Sequence, residues 1–469
     1  MFNNSRYKVA VPVGASLRRV DESVMSREDR LAELRQQTAL MTQTGPGTPA
    51  GRLLRSYWQP LILTKDYPRG SEPRPIRIMS EDLVLFRDDD GQPGLLGLKC
   101  PHRCADLSYG RVENGGLRCI YHGWLFDRQG DCLEQPAEPH GGLHRANIKH
   151  LAYPCVERSG AIWVYMGEGA PPLFPNYPAL SGPETYRHTA SWRSDCNYLQ
   201  ANEGNIDPVH TSYLHRYDLN HAHEYSKTSA SVFAADTAPK LSVQESRYGL
   251  RLFAERRLAG QGKRILRVTN FIMPNACAIG GAESGLGRGG LSMFWHVPID
   301  DTSHWRMEFT FHSKKRLPFE VIEGLYSAER LPDGRSRRNA DNRYLQDRGK
   351  LDAEYIGMGH NFPTHDLFVT ESQGAILDRT QEHLVSSDIG IVRARRQILN
   401  AIKDVENGRD PIGVIRDPAK NDCRDLLVLT ETLNDDIESD AFCAELERQD
   451  IYRLNEDVAL SAKESASAV

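Results

Sequence analysis

Apolar positions along this chain fall into distinct textures. From about residue 55 to 166 they come as short runs punctuated by Gly, Pro and Asp, as in DLVLFRDDDGQPGLLGLKC, GLRCIYHGWLFDRQGDC and YPCVERSGAIWVYMGEG. Alternating stretches such as residues 162–165 (IWVY), bounded by glycines, predict short strands in a small all-β unit. Residues 167–183 (GEGAPPLFPNYPALSGP) are too rich in proline for a regular helix or central strand and read as an inter-domain linker. Beyond it, residues 267–274 (RVTNFIMP) and 291–298 (LSMFWHVP) carry the β-branched and aromatic enrichment of a half-buried sheet. Helical signals flank these parts. Residues 1–25 read as an extended arm, and Ser26 with Asp29 forms a capping box opening a helix with Leu31 and Leu34 on one face. AILDRTQEHL, around Asp378, reads as an amphipathic helix, and the acidic chain after about 400 as helical with a frayed tail, SAKESASAV. Residues 329–350 read as a charged, solvated loop.

Composition narrows the class. A chain of 469 residues with 39% hydrophobic and 26% charged residues accommodates two or three ordinary globular domains. A net charge of −5 argues against nucleic-acid and anionic-membrane partners, which need a basic stripe. No apolar run approaches the roughly 18 residues of a membrane span. The short apolar run Val9–Ala15 precedes Arg18 and Arg19, the wrong order for a secretory signal. Nine scattered cysteines, an odd count, argue against a disulfide framework and favour a reducing cytoplasm.

The sharpest chemical pattern is Cys100-x-His102, sixteen residues, Cys119-x-x-His122. Two thiolates and two imidazoles suit either one tetrahedral zinc or a [2Fe–2S] cluster with the thiolates on one iron and the histidines on the other. Mixed pairs, the first with a single intervening residue, depart from zinc-module spacing and favour the cluster. Cys104 could compete as a ligand, but reads better as a free packed thiol. The stretch resembles the Rieske motif, and its YHGW-F-D continuation (Tyr121 to Asp127) is typical of oxygenase-type Rieske domains.

A second pattern follows the linker. Gln200, Glu203 and Asp207 fall at i, i+3 and i+7 on one helical face. His210 and His215, five apart, point about 140° apart on a straight helix, so they converge on one ion only where the helix ends, kinks or bulges. N-x-x-Q-x-x-E (Asn197, Gln200, Glu203) followed by D-x-x-H-x-x-x-x-H resembles the mononuclear-iron motif of Rieske non-heme iron oxygenase α subunits. MTQTGPGTPAGRLLRSYW, HVPIDDTSHWRMEF and ESQGAILDRTQEHLVSSD look like the phthalate-dioxygenase branch, so the resemblance covers about residues 41–400.

That resemblance implies an α+β chain: a small all-β Rieske domain, then a catalytic domain whose antiparallel β-sheet is covered by helices. The divisions are 1–54 (arm and helix), 55–166 (Rieske), 167–183 (linker), 184–400 (mononuclear iron) and 401–469 (helical extension). It implies His210, His215 and Asp366 as Fe(II) ligands, the last from THDLFVTESQ, in which Glu371 follows by five. Asp352, Glu354, Asp378 and Asp388 are rivals for the carboxylate, and His365 stands where the family would have glutamine. Asp207 matches the bridging aspartate that reaches a cluster histidine, here His122 of the partner subunit, within a trimer or a dimer of trimers. Asn197, Gln200 and Glu203 are expected to hydrogen-bond water or the ligand histidines.

The implied activity is insertion of oxygen from O2 into an aromatic, often carboxylated, substrate. Ring dioxygenation is the first reading; monooxygenation or O-demethylation is the alternative. Electrons come from a separate NAD(P)H-dependent reductase with flavin or ferredoxin, since this chain has neither G-x-G-x-x-G after a strand nor C-x4-C-x2-C. Phe271, Met273 and Trp295 are candidates to line an apolar substrate pocket, and Lys240 or Arg267 to anchor a carboxylate. The competing classes are a Rieske electron carrier without oxygenase activity and a zinc-stapled binding module.

Overall fold

The computed structural model describes residues 26–216, 236–280, 288–314, 316, 323, 330–359 and 362–454. The arm expected over 1–25 and the tail after 454 lie outside the described residues. Ser26 opens helix Arg27–Thr42 as the capping pattern requires: its hydroxyl accepts from Asp29 N, and Asp29 accepts back from Ser26 N. Thr48 caps the short helix Pro49–Arg55, whose Leu53 and Leu54 are buried.

The first domain is built from three small antiparallel sheets. Strand Gln59–Leu63 pairs with Ala161–Val164, which pairs with Cys155–Arg158. Arg74–Ile78, Glu81–Arg87, Pro93–Gly97 and Ala152–Tyr153 form a second sheet in that order. Arg111–Glu113, Gly116–Arg118, Leu125–Phe126 and Cys132–Glu134 form the third. The latter two close on a private core of Val84, Phe86, Leu96, Leu107, Leu117 and Phe126. Alternation puts these side chains inward, and short strands joined by tight turns leave the connecting loops outside that core.

The second domain hangs on one antiparallel sheet, eight-stranded among the described residues. Its order is Arg187–Ser194, Ser303–His312, Gly290–Asp300, Ala276–Ile279, Lys263–Ile272, Gly249–Leu258 and Lys240–Ser246, with Leu429–Asn434 also pairing along Lys263–Ile272. One face, bearing Trp295 and Phe309, packs against Trp163 of the first domain, with ring centroids 5.2 and 5.3 Å away. The other face carries helices. Tyr198–Asn205 lies on strands Gly290–Asp300 and Ala276–Ile279, and Phe362–Glu371 packs on that helix. Ile389–Glu406 covers the far strands with Ala394, Ile398, Ala401 and Ile402 turned inward. No helix of the described residues is long and apolar enough to cross a membrane.

Two local expectations change. The segment around Asp378 is not a helix but a single turn, Arg379–Gln381, capped by Asp378 onto Thr380 N. Arg379 is drawn inside to pair with Glu203, which a solvent-facing helix could not satisfy. The division at 400 falls within helix Ile389–Glu406, and the chain beyond it returns to the sheet as Leu429–Asn434, burying Leu429 and Leu433. The proline-rich segment 167–183 is packed along the domains: Phe174 meets Trp163 edge-on at 5.1 Å, and Trp58 Nε1 donates to Pro172 O at 2.9 Å.

Trp163 therefore joins the two domains. Trp163→Ala is expected to cost about 3–5 kcal/mol, as for other fully buried aromatics. Leu143→Ala, at a residue 76% exposed, is expected to change stability by less than about 0.5 kcal/mol. Thermal and urea unfolding of the two variants compare them directly.

Candidate metal centres and the cavity beside them

Two loops at one end of the first domain bring the four sequence-paired donors together. Cys100 N donates to Ala105 O, and Cys104 N returns to Cys100 O, both at 2.8 Å. The second loop repeats the device: Cys119 N donates to Trp124 O at 2.8 Å and Gly123 N to Cys119 O at 3.0 Å. Gly123 has φ +77°, and a Cβ there would stand 2.6 Å from Pro136 Cγ, so the close turn demands glycine. Cys100 and Cys119 are buried, while Cys104 is exposed at φ +57° outside the donor set. The His102 and His122 rings lie 4.4 Å apart, and Trp124 stacks on His102 at 4.4 Å and 3°. The Nδ1 atoms of both histidines are buried without a hydrogen bond. Buried orphan nitrogens are rare unless something takes their lone pairs. Burial pushes the Cys100 thiol up to about 11 beside Cys119, so a thiolate there needs a metal's positive charge. This donor set fits a [2Fe–2S] cluster.

The second constellation lies between the helices and the sheet. Helix Tyr198–Asn205 stops five residues before His210, which sits on a separate 3-10 turn, His210–Ser212. That break lets His210 and His215 face one point, with rings 5.1 Å apart at 74°. It also moves Asp207 off the helical face expected for it. Asp366 arrives from helix Phe362–Glu371: its Oδ1 stands 3.0 Å from His215 Nε2 and 3.7 Å from His210 Nε2. One donor atom from each of the three lies within 4.8 Å of the others. Donors about 2.0–2.2 Å from a single first-row ion span such edges.

Hydrogen bonding decides which nitrogen of His215 is available. His365 is fully buried and donates from Nε2 to Gly359 O at 2.8 Å, so in the neutral form of that ring Nδ1 is an acceptor. His215 Nδ1, 3.3 Å away, donates to it. His215 Nε2 then faces Asp366 Oδ1 at 3.0 Å: carrying a proton it pairs with the carboxylate, and without one it offers a lone pair to a cation held between them. Burial would raise the Asp366 pKa, but His215, His210 and Arg306 outweigh it and hold the carboxyl well below the usual range. Burial likewise opposes protonation of His210, and Asp207 and Asp366 overcome it to raise its pKa. Asp207 Oδ2 stands 3.7 Å from His210 Nδ1, acting by charge, and its Oδ1 accepts from Val209 N at 2.7 Å. The three side chains fit a single Fe(II).

Asn197, Gln200 and Glu203 do not contact the histidines as expected. Asn197 caps helix Tyr198–Asn205 and donates to Thr42 O and Asp301 O. Gln200 donates to Thr370 O and Gly374 O and accepts from Leu377 N. Glu203 takes both arms of Arg395 and one of Arg379. These are framework bonds.

A cavity of about 260 Å³ opens beside Asp366 and His210, lined also by Trp192, Asn205, His296 and Arg306. Phe271 and Trp295 are not part of its lining. Trp295 lies on the opposite sheet face against Trp163, and Phe271 is sheet core. Met273 lines a separate crevice with Trp58. Lys240 is a surface residue, its side chain 80% exposed and 3.9 Å from Glu255. Arg267 is buried near His210 without lining the cavity. Of the rival carboxylates, Asp388 lines the cavity rim and accepts from Val385 N, while Asp378 caps its turn.

Sequence patterning did not single out Arg306, His296 and His304. Their signal was present: in strand Ser303–His312, positions 304, 306, 308, 310 and 312 are all polar in a strand paired on both sides. His296 Nδ1 donates to His304 Nε2 at 3.1 Å, and His304 Nδ1 donates to Cys196 O at 2.8 Å, which leaves His296 Nε2 to accept from Asn205. Burial and the neighbouring cation Arg306 push His304 down to about 4.

A profile of the Rieske [2Fe-2S] domain matches residues 57–152, and one described as LigXa C-terminal domain-like matches residues 164–424. The oxygenase subunit of 5,5'-dehydrodivanillate O-demethylase from Sphingobium sp. (strain SYK-6) is 32% identical, aligning over 82% of this chain and 84% of that protein. The alpha subunit of phenoxybenzoate dioxygenase from Ectopseudomonas oleovorans is 34% identical over 80% of this chain and 87% of its own. Among solved structures, an oxygenase–ferredoxin complex of carbazole 1,9a-dioxygenase matches with a TM-score of 0.53 and 18% identity, covering 83% and 96% of the two chains. At that identity the likeness is one of fold.

Two outcomes are expected. Asp366→Ala should lower bound iron from about three to about two per chain, leaving the visible absorption of the cluster unchanged. His304 titrates lower folded than unfolded, so the stability it carries is complete above its ordinary value of 6.5 and is lost as pH falls through about 4. Urea unfolding should show about 2 kcal/mol less stability at pH 5 than at pH 7 from this group, and His304→Gln should flatten that slope.

Proposed function

The chain belongs to the Rieske oxygenases, as an oxygenase subunit of the phthalate-dioxygenase-like branch, and from that premise we propose that it oxygenates aromatic carboxylic acids with O2. Its electrons come from a separate NAD(P)H-dependent reductase with flavin or ferredoxin, and the setting is the cytoplasm, in keeping with nine free cysteines. The observation that carries this reading is the meeting of His210, His215 and Asp366 beside a cavity large enough for one ring, with His210 and Asp366 in its wall. His210, His215 and Asp366 would hold ferrous iron, which would supply a site for O2, and Cys100, His102, Cys119 and His122 would hold a [2Fe–2S] cluster, which would supply electrons singly. His215, its tautomer set by His365, presents Nε2 to the ion, and Asp366 brings the anionic donor. Trp192 gives the substrate an aromatic wall, and the covering helices keep bulk water from the reacting face. Asp207 holds His210 from behind and, in a trimer or dimer of trimers, accepts a hydrogen bond from His122 of the partner subunit.

Aromatic acids are favoured as substrates because phenoxybenzoate and dehydrodivanillate, named for the two relatives, are both carboxylated rings. Ring dioxygenation is the first reading. O-demethylation is the second, favoured by 32% identity with an O-demethylase subunit. The iron-loaded protein with a supplied reductase and NADH should consume O2 when given benzoates, phthalates, phenoxybenzoates or methoxybenzoates. Product mass then separates a dihydrodiol from a phenol with formaldehyde. Iron-replete protein that consumes no O2 above background with any of these acids would end the proposal.

A further inference from the structure

We propose that Arg306 is the residue that selects an anionic substrate, holding its carboxylate in the cavity beside the iron triad. This deepens the oxygenase reading and rests on it. Arg306 projects from strand Ser303–His312 between Trp192 on one neighbouring strand and His296 on the other, its register partners on either side. Strand alternation turns Trp192, Phe294, His296 and Arg306 to the same sheet face, the one that carries the helices and the cavity.

The guanidinium is fixed but unspent. Its carbon lies 4.4 Å from the Phe294 ring centroid and 5.6 Å from that of Trp192, so the two rings flank the cation. The side chain is only 13% exposed, and Nε is buried without a partner. Arg306 makes no hydrogen bond among the described residues. Its nearest anions, Glu308 Oε2 at 3.8 Å and Asp366 Oδ2 at 3.9 Å, balance charge from beyond hydrogen-bond reach. Glu308 is itself turned to Thr310, whose hydroxyl donates to Oε1 at 2.9 Å.

Other buried arginines here show what satisfaction looks like. Arg395 makes four bonds to Glu203 and Glu382 at 2.7–2.9 Å, and Arg87 two to Glu157 at 2.8 Å. A desolvated guanidinium with open N–H groups is costly to maintain, and the group that completes it must be a planar, two-oxygen acceptor entering from the cavity. A ring carboxylate meets that description, and an ester or amide lacks its charge. Asp366 engaged on a cation would have less charge to offer Arg306, strengthening its pull on an incoming anion.

The test is equilibrium binding to the iron-loaded protein, read by calorimetry, with benzoate, phthalate and 3-phenoxybenzoate against the methyl esters of the same acids. Wild type is expected to bind at least one acid at least tenfold tighter than its ester. Arg306→Gln should weaken acid binding by about 30-fold or more while changing ester binding less than about threefold, and Arg306→Lys should recover part of the loss. Cluster absorption and the unfolding midpoint certify that each variant is folded. With a supplied reductase, the same split should appear in KM, with kcat changing less. The proposal is overturned if wild type does not prefer acid to ester, if Arg306→Gln keeps the preference, or if acid and ester weaken together. An acid preference without O2 uptake leaves the anchor standing and sinks the oxygenase reading. O2 uptake on neutral rings alone does the reverse.

Discussion

The Gln200 side chain is the clamp on which the meeting of His210, His215 and Asp366 depends. Buried under the second domain's helices, it donates to Thr370 O and Gly374 O and accepts from Leu377 N, three backbone groups that directly follow Asp366. His210 and His215 come from one stretch and Asp366 from another some 150 residues later, so nothing local aligns them. An amide with its donors and acceptor engaged is worth about 1 kcal/mol per bond net, but leaving such buried partners unmade costs about 1–3 kcal/mol each. The clamp therefore specifies one position of helix Phe362–Glu371 against helix Tyr198–Asn205. Glu203, bound by Arg395 and Arg379 one turn further on, ties the same helix to helix Ile389–Glu406 and to the turn at Arg379–Gln381.

The buried and half-buried polar groups on this side of the sheet divide into two kinds. Asn197, Gln200, Glu203, Arg395 and the His296–His304 pair are hydrogen-bonded to neighbours, and such networks rigidify a core at little net cost. His210, Asp366 and Arg306 are brought close to one another with their bonding capacity left open, an arrangement that is unfavourable for the folded protein alone. The first set holds the second in place, as expected when local stability is given up where a metal and a substrate are to bind. The same contrast marks the first domain, where backbone bonds close both loops around Cys100 and Cys119 while the Nδ1 atoms of His102 and His122 have no hydrogen-bond partner among the described residues.

Much of the chain's organisation was legible in the sequence. Short alternating runs between glycines became the strands of the first domain, Ser26 capped the helix its pattern announced, and the five-residue interval between His210 and His215 required a break that the chain makes after Asn205. Elsewhere partners far away in sequence overrode the local pattern. AILDRTQEHL lost its helix when Arg379 turned inward to Glu203. Trp295, aromatic and in a strand, was indistinguishable from a pocket wall until the register showed which face it takes. Leu429–Asn434 pairs with a strand some 165 residues earlier, a contact that no window along the chain contains.

What the sequence determined by itself is the chemistry on offer: two Cys-His pairs, a histidine pair behind an aspartate, and a later carboxylate, because donor type and spacing are local properties. Tertiary structure alone decided which face of the sheet became the cavity wall, that Asn197, Gln200 and Glu203 brace the framework, and that Arg306 stands at the triad without a hydrogen-bond partner among the described residues. These outcomes turn on strand register and helix docking, where shifting one residue moves every side chain to the other face.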